Sequence, residues 1–260
     1  MTRAPAERPA VVYVAGAMRS GTTLLGQVLG SSPDATLVGE VRSGIIDPDL
    51  HLFCDCGHPR GGCPFWSGPD AVQPPADVAR AATGLTALPV LVASVLLGRP
   101  LTAPVRAATA YLATALEHTT GTTLVDTSKT PTLALLWRLA GARVHLVAAV
   151  RRPLDVARAQ ARPTEQTGVP QRPVPLSLAV WAAYQLGTVA VAPFAASRTV
   201  VPFRRFLADP VRAARRIWAA ADLRPGRADA DGAFAFDASH VLAGNPRRAR
   251  GRVVVRSTAR

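Results

Sequence analysis

A turn near the N-terminus has the residues of a phosphate-binding loop. Gly16 and Gly21 have the spacing of the two glycines in the nucleotide-triphosphate loop G-x-x-x-x-G-K-[ST]. Thr22 stands where that motif has the lysine that contacts the β- and γ-phosphates, and Arg19, inside the turn, carries the positive charge instead. The segment therefore predicts a cradle of backbone N–H groups for an anion, at the start of a helix, without the lysine used in ATP hydrolysis.

Three further charged side chains follow apolar, β-branched runs that predict buried strands. Glu40, Lys129 and Arg151 each stand just beyond such a run. Because ligands of parallel sheets bind at the carboxyl ends of the strands, we expect these three residues and the turn to share one site. Each segment alone also fits a solvated surface charge or a helix cap, and it is their common position that favours a site.

The elements that must position these residues predict one α/β domain. Strands are predicted at 10–15, 35–38, 122–126, 143–150 and 198–203. Helices are predicted at 22–29, 131–139, 153–161, 176–195 and 210–221. Strands that alternate with helices indicate a central parallel sheet with helices on both faces. We expect a flexible tail at 1–9 and a single domain at 10–260, with a loop-rich insertion at about 44–75 that holds the three cysteines.

The composition narrows the choice of partners. Of the 260 residues 48% are hydrophobic, and 30 Lys plus Arg against 17 Asp plus Glu give a net charge of +13. A basic chain suits an anionic ligand, an anionic polymer or a membrane surface. The arginines are scattered and form no block, which indicates a compositional bias as the main cause of the charge. We therefore expect no nucleic-acid partner.

The apolar stretches indicate a protein that does not insert stably into a membrane. The longest apolar run, Leu85–Leu97, carries Pro89 and is shorter than the roughly 20 residues that span a bilayer. Residues 1–9 contain charges but no apolar stretch typical of a signal peptide. We expect a cytoplasmic protein, and the sequence leaves its oligomeric state open.

The glycine turn resembles the phosphosulfate loop of sulfotransferases that use 3′-phosphoadenosine 5′-phosphosulfate (PAPS). Their loops commonly read P-R-S-G-T-T or P-K-S-G-T-T before an apolar helix, and this chain reads M-R-S-G-T-T at 18–23. The resemblance implies a P-loop-like α/β fold, PAPS as the sulfuryl donor, and a hydroxyl or amine of a carbohydrate, peptide or small metabolite as the acceptor. The residues that it implies for the phosphosulfate are Arg19, Ser20, Gly21, Thr22 and Thr23, with Arg19 also catalytic.

Two more segments resemble the same family. The sequence V-R-R-P at 150–153 is similar to the family motif V-R-D-P-R, which implies that Arg151 binds the 3′-phosphate. The serine that shares this task in the family is Ala159 here, and the basic or polar neighbours that could replace it are Arg158, Gln160 and Arg162. The sequence D-T-S-K-T-P at 126–131 resembles the bacterial D-S-S-K-x-P, which implies that Lys129 stabilises the bridging oxygen of the donor.

The resemblance also implies the catalytic base. In several bacterial and Golgi sulfotransferases a Glu at a similar distance after the loop takes the proton of the acceptor, and Glu40 occupies that place here. Cytosolic sulfotransferases use a histidine, so His51, His58 and His118 are rivals, although none has a matching context. With arginine and lysine supplying the positive charge, no metal is required for the reaction.

The cysteine-rich segment and the C-terminal region carry weaker resemblances. C-D-C-G at 54–57 and C-P-F-W at 63–66 resemble an insertion of bacterial members, which favours a loop that lines the acceptor pocket, with Phe65 and Trp66 packing or contacting substrate. Three thiolates with His51 or His58 also suit zinc, but the C-x-C spacing is less typical than C-x2-C, and zinc stays an open alternative. The segment at 239–248 resembles S-H-x-x-x-G-N-P-x-R, whose Asn and Arg would close over the nucleotide.

Two other functions stay open at this level. A P-loop kinase-like enzyme shares the glycine spacing, although Thr22 in the lysine position argues against it. A catalytically impaired homologue that only binds a nucleotide or polyanion is supported by Ala159 and by the segment 203–210, which departs from the family pattern.

Overall fold

The computed structural model describes most of the chain and shows an α/β fold. The described residues are 9–46, 54–119, 123–162, 172–230, 232–235, 239–242 and 251–255. Their strands are β1 Ala10–Ala15, β2 Ala35–Gly39, β3 Thr123–Lys129, β4 Arg143–Val150, β5 Ser197–Pro202, β6 Ala233–Ala235, β7 Ser239–Val241 and β8 Arg252–Val254. Their α-helices are α1 Thr22–Leu29, α2 Val41–Ile46, α3 Ser67–Asp70, α4 Ala76–Thr83, α5 Leu88–Leu96, α6 Ala103–Glu117, α7 Thr132–Leu139, α8 Pro153–Ala161, α9 Val174–Val191, α10 Phe203–Ala208 and α11 Pro210–Ala220.

Six strands form one parallel sheet in the order β5-β4-β1-β3-β2-β7. The first strand of the chain therefore lies inside the sheet, between β3 and β4. Parallel neighbours bring all the carboxyl ends to one edge, which is where ligands of such sheets bind. The predicted single α/β domain with a central parallel sheet is confirmed. The strand β7 was not predicted, because three residues with a Ser and a His carry no apolar run.

Both faces of the sheet are buried beneath helices. Along β1, Val11 and Tyr13 pack in one apolar cluster with residues of α6 and α7, whereas Val12 and Val14 pack in another with residues of α1 and α11. Successive side chains of a strand point to opposite faces, so a strand covered on both sides must be apolar throughout. This explains why the strands read as continuous apolar runs in the sequence.

The helix α9 is the most apolar of the longer helices and stays largely uncovered. The stretch Val174–Phe194 has a mean hydropathy of 1.5 and only 22% of it is buried, with Leu186 and Val189 each about 70% exposed. Among the described residues it is the one unbroken helix long and apolar enough to cross a membrane, a property that core helices of soluble proteins share. The helix α9 corresponds to the helix predicted at 176–195. It is longer than the run Leu85–Leu97, from whose length no membrane span is predicted.

Some predicted features lie outside the described residues. They are residues 1–8 of the expected tail, residues 47–53 of the insertion with His51, and the C-terminal Asn245, Arg247 and Arg248. Pro9, the last residue of the expected tail, is described, and its carbonyl accepts a hydrogen bond from the backbone N–H of Arg143 at 2.9 Å.

Candidate functional site

The turn between β1 and α1 is closed by backbone hydrogen bonds. The N–H of Gly16 donates to the carbonyl of Lys129 at 3.1 Å, which joins the turn to the end of β3. The N–H of Ser20 donates to the carbonyl of Ala17, also at 3.1 Å. The N-cap residue of α1 is Gly21, which has no side chain to cap the helix. The hydroxyl of Ser20 makes no hydrogen bond among the described residues either, so it does not serve as a helix cap, and the N-terminal N–H groups keep their capacity to bind an anion.

Two glycines of the turn are required by space. A Cβ on Gly16 would lie 2.7 Å from the carbonyl oxygen of Ala149. Gly21 has a φ of 87°, and a Cβ there would lie 2.1 Å from the ring of Phe203. Both contacts are far shorter than van der Waals distances, so the backbone of the turn fits closely against β4 and the start of α10.

Buried polar atoms of the turn lack partners within the described residues. The Nε of Arg19 and the Oγ of Ser20 are buried and make no hydrogen bond there, and Ser20 is fully buried. A buried polar group without a partner costs about 1–3 kcal/mol. Because native structures seldom leave such groups unsatisfied, these two donors indicate the place where an anionic ligand completes the bonding.

Arg151 lies against the turn, as the sequence predicts. Its guanidinium donates to the carbonyl of Arg19 at 2.9 Å and stands over the ring of Phe203, 5.1 Å from the centroid. The indole N–H of Trp181, on α9, donates to the carbonyl of Arg151 at 3.1 Å. Three elements thus fix this arginine beside the turn: the end of β4, the start of α10 and α9.

Gln160 is the residue of α8 that reaches the turn. It is fully buried, its Nε2 donates to the carbonyl of Met18 at 3.0 Å, and its Oε1 has no partner among the described residues. Ala159 has no polar side chain to offer, and Arg158 and Arg162 are exposed. Of the three predicted replacements for the family serine, Gln160 is therefore the one placed at the turn.

Glu40 and Lys129 form an ion pair at the carboxyl ends of β2 and β3. The Nζ of Lys129 donates to Oε1 of Glu40, and the two side chains are 15% and 19% exposed. The hydroxyl of Ser43 donates to Oε2 of Glu40 at 3.3 Å. The pair is joined to the turn, because the carbonyl of Lys129 accepts from Gly16. A carboxylate and an ammonium side by side supply a proton acceptor and a positive charge.

The backbone is strained at three of these predicted residues. Arg19, Glu40 and Lys129 have φ values of 67°, 58° and 75°, in the left-handed region that residues with a Cβ avoid. Among the described non-glycine residues only Asp222 shares this conformation. Such strain costs on the order of 1–3 kcal/mol per residue and concentrates at functional sites, where the surrounding structure holds a side chain in place. Its coincidence with the predicted residues supports one shared site.

Asp126 supports the end of β3 from within the core. It is fully buried and accepts hydrogen bonds from the N–H and hydroxyl of Ser128, at 2.8 and 2.6 Å, and from the indole of Trp137 at 2.7 Å. Burial raises the pKa of Asp126 to about 6, although these hydrogen bonds favour the charged form. Asp126 therefore fixes the strand just before Lys129.

The buried carboxyl predicts how stability depends on pH. Between about pH 4 and pH 6 the folded chain keeps the proton of Asp126, while the unfolded chain has released it, so the free energy of unfolding falls as the pH rises through this window. From the pKa of about 6, the fall amounts to about 3 kcal/mol at most. We expect Asp126→Asn to remove this slope in urea unfolding, and the exposed control Asp77→Asn to keep it. Parallel curves for all three proteins would contradict the prediction.

The described rival histidines are not brought to the turn. His58 is exposed in the cysteine-rich segment. His118 ends α6, where its Nδ1 donates to the carbonyl of Thr114 at 2.9 Å. Glu40, in contrast, is joined to the turn through its ion pair with Lys129.

The cysteine-rich segment packs into the core. Phe65 is 4% exposed and Trp66 is fully buried, so both take the packing role rather than a substrate contact. The three thiols lie beside His240, on β7, rather than beside His58. In the sequence, His240 belongs to a C-terminal segment that is expected to close over the nucleotide. No motif around it in the chain predicts that it lies beside the cysteines.

Comparisons with known proteins support the fold. No protein-family model and no curated protein matches the chain. The sulfotransferase domain from the Synechococcus PCC 7002 olefin synthase superposes with a TM-score of 0.51 at 14% identity, covering 85% of this chain and 77% of that one. The sulfotransferase domain from the curacin biosynthetic pathway gives 0.50 at 14%, covering 83% and 75%. Together with the parallel sheet and its glycine turn, these likenesses show that the chain has the sulfotransferase fold.

Proposed function

We propose that the protein is a sulfotransferase that moves a sulfuryl group from PAPS to a hydroxyl or amine of a carbohydrate, peptide or small metabolite. The observation that carries the proposal is the turn itself. It presents two buried donors that have no partner in the described part of the chain, Arg19 Nε and Ser20 Oγ, next to a helix N-terminus whose N-cap residue is a glycine. An anion with several oxygens satisfies all of these groups at once.

The residues present fit the two ends of the proposed donor. The turn, with Arg19, Ser20 and the hydroxyls of Thr22 and Thr23, would hold the phosphosulfate. Arg151 would hold the 3′-phosphate, because its guanidinium lies beside the turn. Stacking on Phe203 holds the planar guanidinium in a fixed orientation. When bound, the donor supplies a sulfuryl group on a phosphate leaving group.

In the Glu40–Lys129 pair, Glu40 would act as the general base and Lys129 would stabilise the developing negative charge. Glu40 accepts the proton of the acceptor hydroxyl or amine, so that the lone pair on its oxygen or nitrogen forms the new bond to sulfur. Lys129 places a positive charge where negative charge grows, on the oxygen of the sulfur–oxygen bond that breaks. The two groups hold each other in position before the acceptor arrives, which limits reorganisation during the reaction.

The direct test is calorimetry with two nucleotides on the full chain. We expect binding of adenosine 3′,5′-bisphosphate, the product of sulfuryl transfer, and no tight binding of Mg-ATP. The opposite pattern would overturn the proposal in favour of a kinase-like enzyme, for which the same glycine spacing is typical. Transfer of labelled sulfate from PAPS to a panel of sugars, phenols and peptides then separates an active enzyme from a homologue that only binds the nucleotide.

Arg151 offers a prediction with a matched control. Arg151→Ala should weaken the binding of adenosine 3′,5′-bisphosphate by about 10- to 100-fold, because a charged hydrogen bond contributes about 1.5–3 kcal/mol. Arg152→Ala removes the same charge from the neighbouring, exposed position and should leave the affinity within about twofold. Equal losses in the two variants, measured by calorimetry at one salt concentration, would show a general charge effect and exclude the specific role of Arg151.

A further inference from the structure

Three thiols and one imidazole converge at the edge of the sheet. The side chains of Cys54, Cys56, Cys63 and His240 offer four ligand atoms that all lie within 4.8 Å of one another. The Sγ atoms of Cys56 and Cys63 are 3.6 Å apart, and Nδ1 of His240 lies 3.3 Å from Sγ of Cys63 and 3.7 Å from Sγ of Cys54. Cys54 and Cys63 are buried, Cys56 and His240 are partly buried, and no disulfide joins the cysteines.

These distances are those of ligands around a tetrahedral metal ion. Zinc–sulfur bonds of about 2.3 Å and zinc–nitrogen bonds of about 2.0–2.1 Å, at tetrahedral angles, place two sulfurs about 3.8 Å apart and a sulfur about 3.5 Å from a nitrogen. The three separations given above differ from these values by no more than about 0.2 Å. The other three pairs of these atoms also lie within 4.8 Å, so one ion fits between the four atoms after small movements of the side chains.

The backbone presents the thiols from two tight turns. The N–H of Cys54 donates to the carbonyl of His58 at 3.1 Å, and the N–H of Gly57 donates back to the carbonyl of Cys54 at 3.0 Å. Gly57 has a φ of 90°, which permits the chain to reverse there. The N–H of Cys63 donates to the carbonyl of Arg60 at 3.1 Å, at the end of a 3₁₀ turn. The C-x-C spacing, which made zinc the less favoured prediction, is accommodated by the first of these turns.

The fourth ligand is supplied by the sheet. His240 lies in β7, opposite Val38 of β2. The ring of Phe65 stacks on its imidazole at a centroid distance of 5.3 Å, and the indole of Trp66 donates to its backbone carbonyl at 2.8 Å. These neighbours orient the imidazole with Nδ1 toward the thiols, as outer contacts do at metal sites.

We infer that Cys54, Cys56, Cys63 and His240 bind one Zn²⁺ ion in a closed structural site. Thiolate and imidazole ligands in a tetrahedral arrangement suit zinc and exclude the oxygen-preferring Mg²⁺ and Ca²⁺. Four protein ligands leave no open position for substrate, so the ion serves the fold and not the chemistry. On binding, the three thiols release their protons to solvent and the complex carries one net negative charge.

The site has a clear structural task. It ties residues 54–66 to β7, a strand of only three residues that closes the edge of the sheet beside β2. Glu40 follows directly on β2, so the ion stabilises the side of the sheet from which the proposed base projects. The prediction that the proposed reaction itself requires no metal is separate from this inference and is not tested by it.

The first test measures the metal content of the full chain. We expect about one equivalent of zinc per chain by plasma mass spectrometry after purification without chelator. Cys63→Ser and His240→Ala should each lose most of this zinc, whereas His58→Ala, which removes an exposed histidine of the same segment, should keep it. Zinc near zero in the wild-type chain, or equal retention in all variants, would overturn the inference, and so would a disulfide between two of the cysteines in the isolated protein.

A second measurement keeps the inference testable if the variants fold poorly. Co²⁺ exchanged into the wild-type chain should give the visible absorption of tetrahedral cobalt together with thiolate charge-transfer bands in the near ultraviolet. His240→Cys replaces the imidazole with a fourth thiol, and it should keep the metal while its charge-transfer absorption rises in proportion to the number of thiolates. Spectra of octahedral cobalt, or identical charge-transfer intensity in the two proteins, would contradict the assigned ligands.

Discussion

Glu40→Gln is expected to lower the turnover of sulfuryl transfer by about 10²- to 10⁴-fold, the range typical of a lost general base. Glutamine has the same shape and can still accept the hydrogen bond that Ser43 donates to Glu40, but it cannot take a proton from the acceptor. The affinity for adenosine 3′,5′-bisphosphate should change little, because the turn and Arg151 are untouched. The loss should therefore appear in kcat and not in nucleotide binding.

The control separates a base from an ion-pair partner. Ser43→Ala removes one hydrogen bond to the Glu40 carboxylate and leaves the carboxylate in place, so its turnover should fall by less than about tenfold. The pH–rate profile gives a further readout, since the loss of rate at low pH should disappear in Glu40→Gln if this carboxylate must be ionised. Unchanged turnover in Glu40→Gln would restrict Glu40 to holding Lys129.

Much of the geometry of the candidate site could be predicted from the sequence because its signals are local. The glycine spacing of the turn and the charged residues after the strands are visible within a few residues, and the alternation of strands with helices implies a parallel sheet. Parallel strands bring their carboxyl ends to one edge, so separate motifs became one predicted site. The structure joins Lys129 to Gly16 and Arg151 to Arg19 at this edge.

The parts that were not predicted depend on long-range contacts. His240 meets the cysteines only because β7 pairs with β2, and three residues at the edge of a sheet have no periodic pattern of their own. Gln160 reaches the carbonyl of Met18 from α8, a helix that packs against α9, and the alternation of strands and helices in the sequence does not specify this packing. The positive φ of Glu40 and Lys129 is likewise imposed by tertiary structure, since neither residue type prefers it.

Gly21→Ala should weaken the binding of adenosine 3′,5′-bisphosphate by more than about 100-fold and destabilise the fold by about 1–3 kcal/mol. Two effects combine at this position. The φ of 87° costs an alanine about 1–2 kcal/mol, and the new Cβ would lie 2.1 Å from the ring of Phe203, so the turn or the ring must move. Arg151 stacks on the same ring, so the movement also disturbs the group proposed to hold the 3′-phosphate.

Two further variants separate these effects. Gly98 has a φ of 67° with nothing within 4 Å of an added Cβ, so Gly98→Ala measures the backbone strain alone and should leave nucleotide binding unchanged. Phe203→Ala opens the space that the new methyl group needs, so the double variant with Gly21→Ala should be less destabilised than the two single changes add up to. Additive losses in this double-mutant cycle would show that the ring and the turn do not press on each other. Retained nucleotide binding in Gly21→Ala would contradict the proposal that this turn holds the phosphosulfate, because a cradle built from this backbone cannot keep its geometry when Gly21 is displaced.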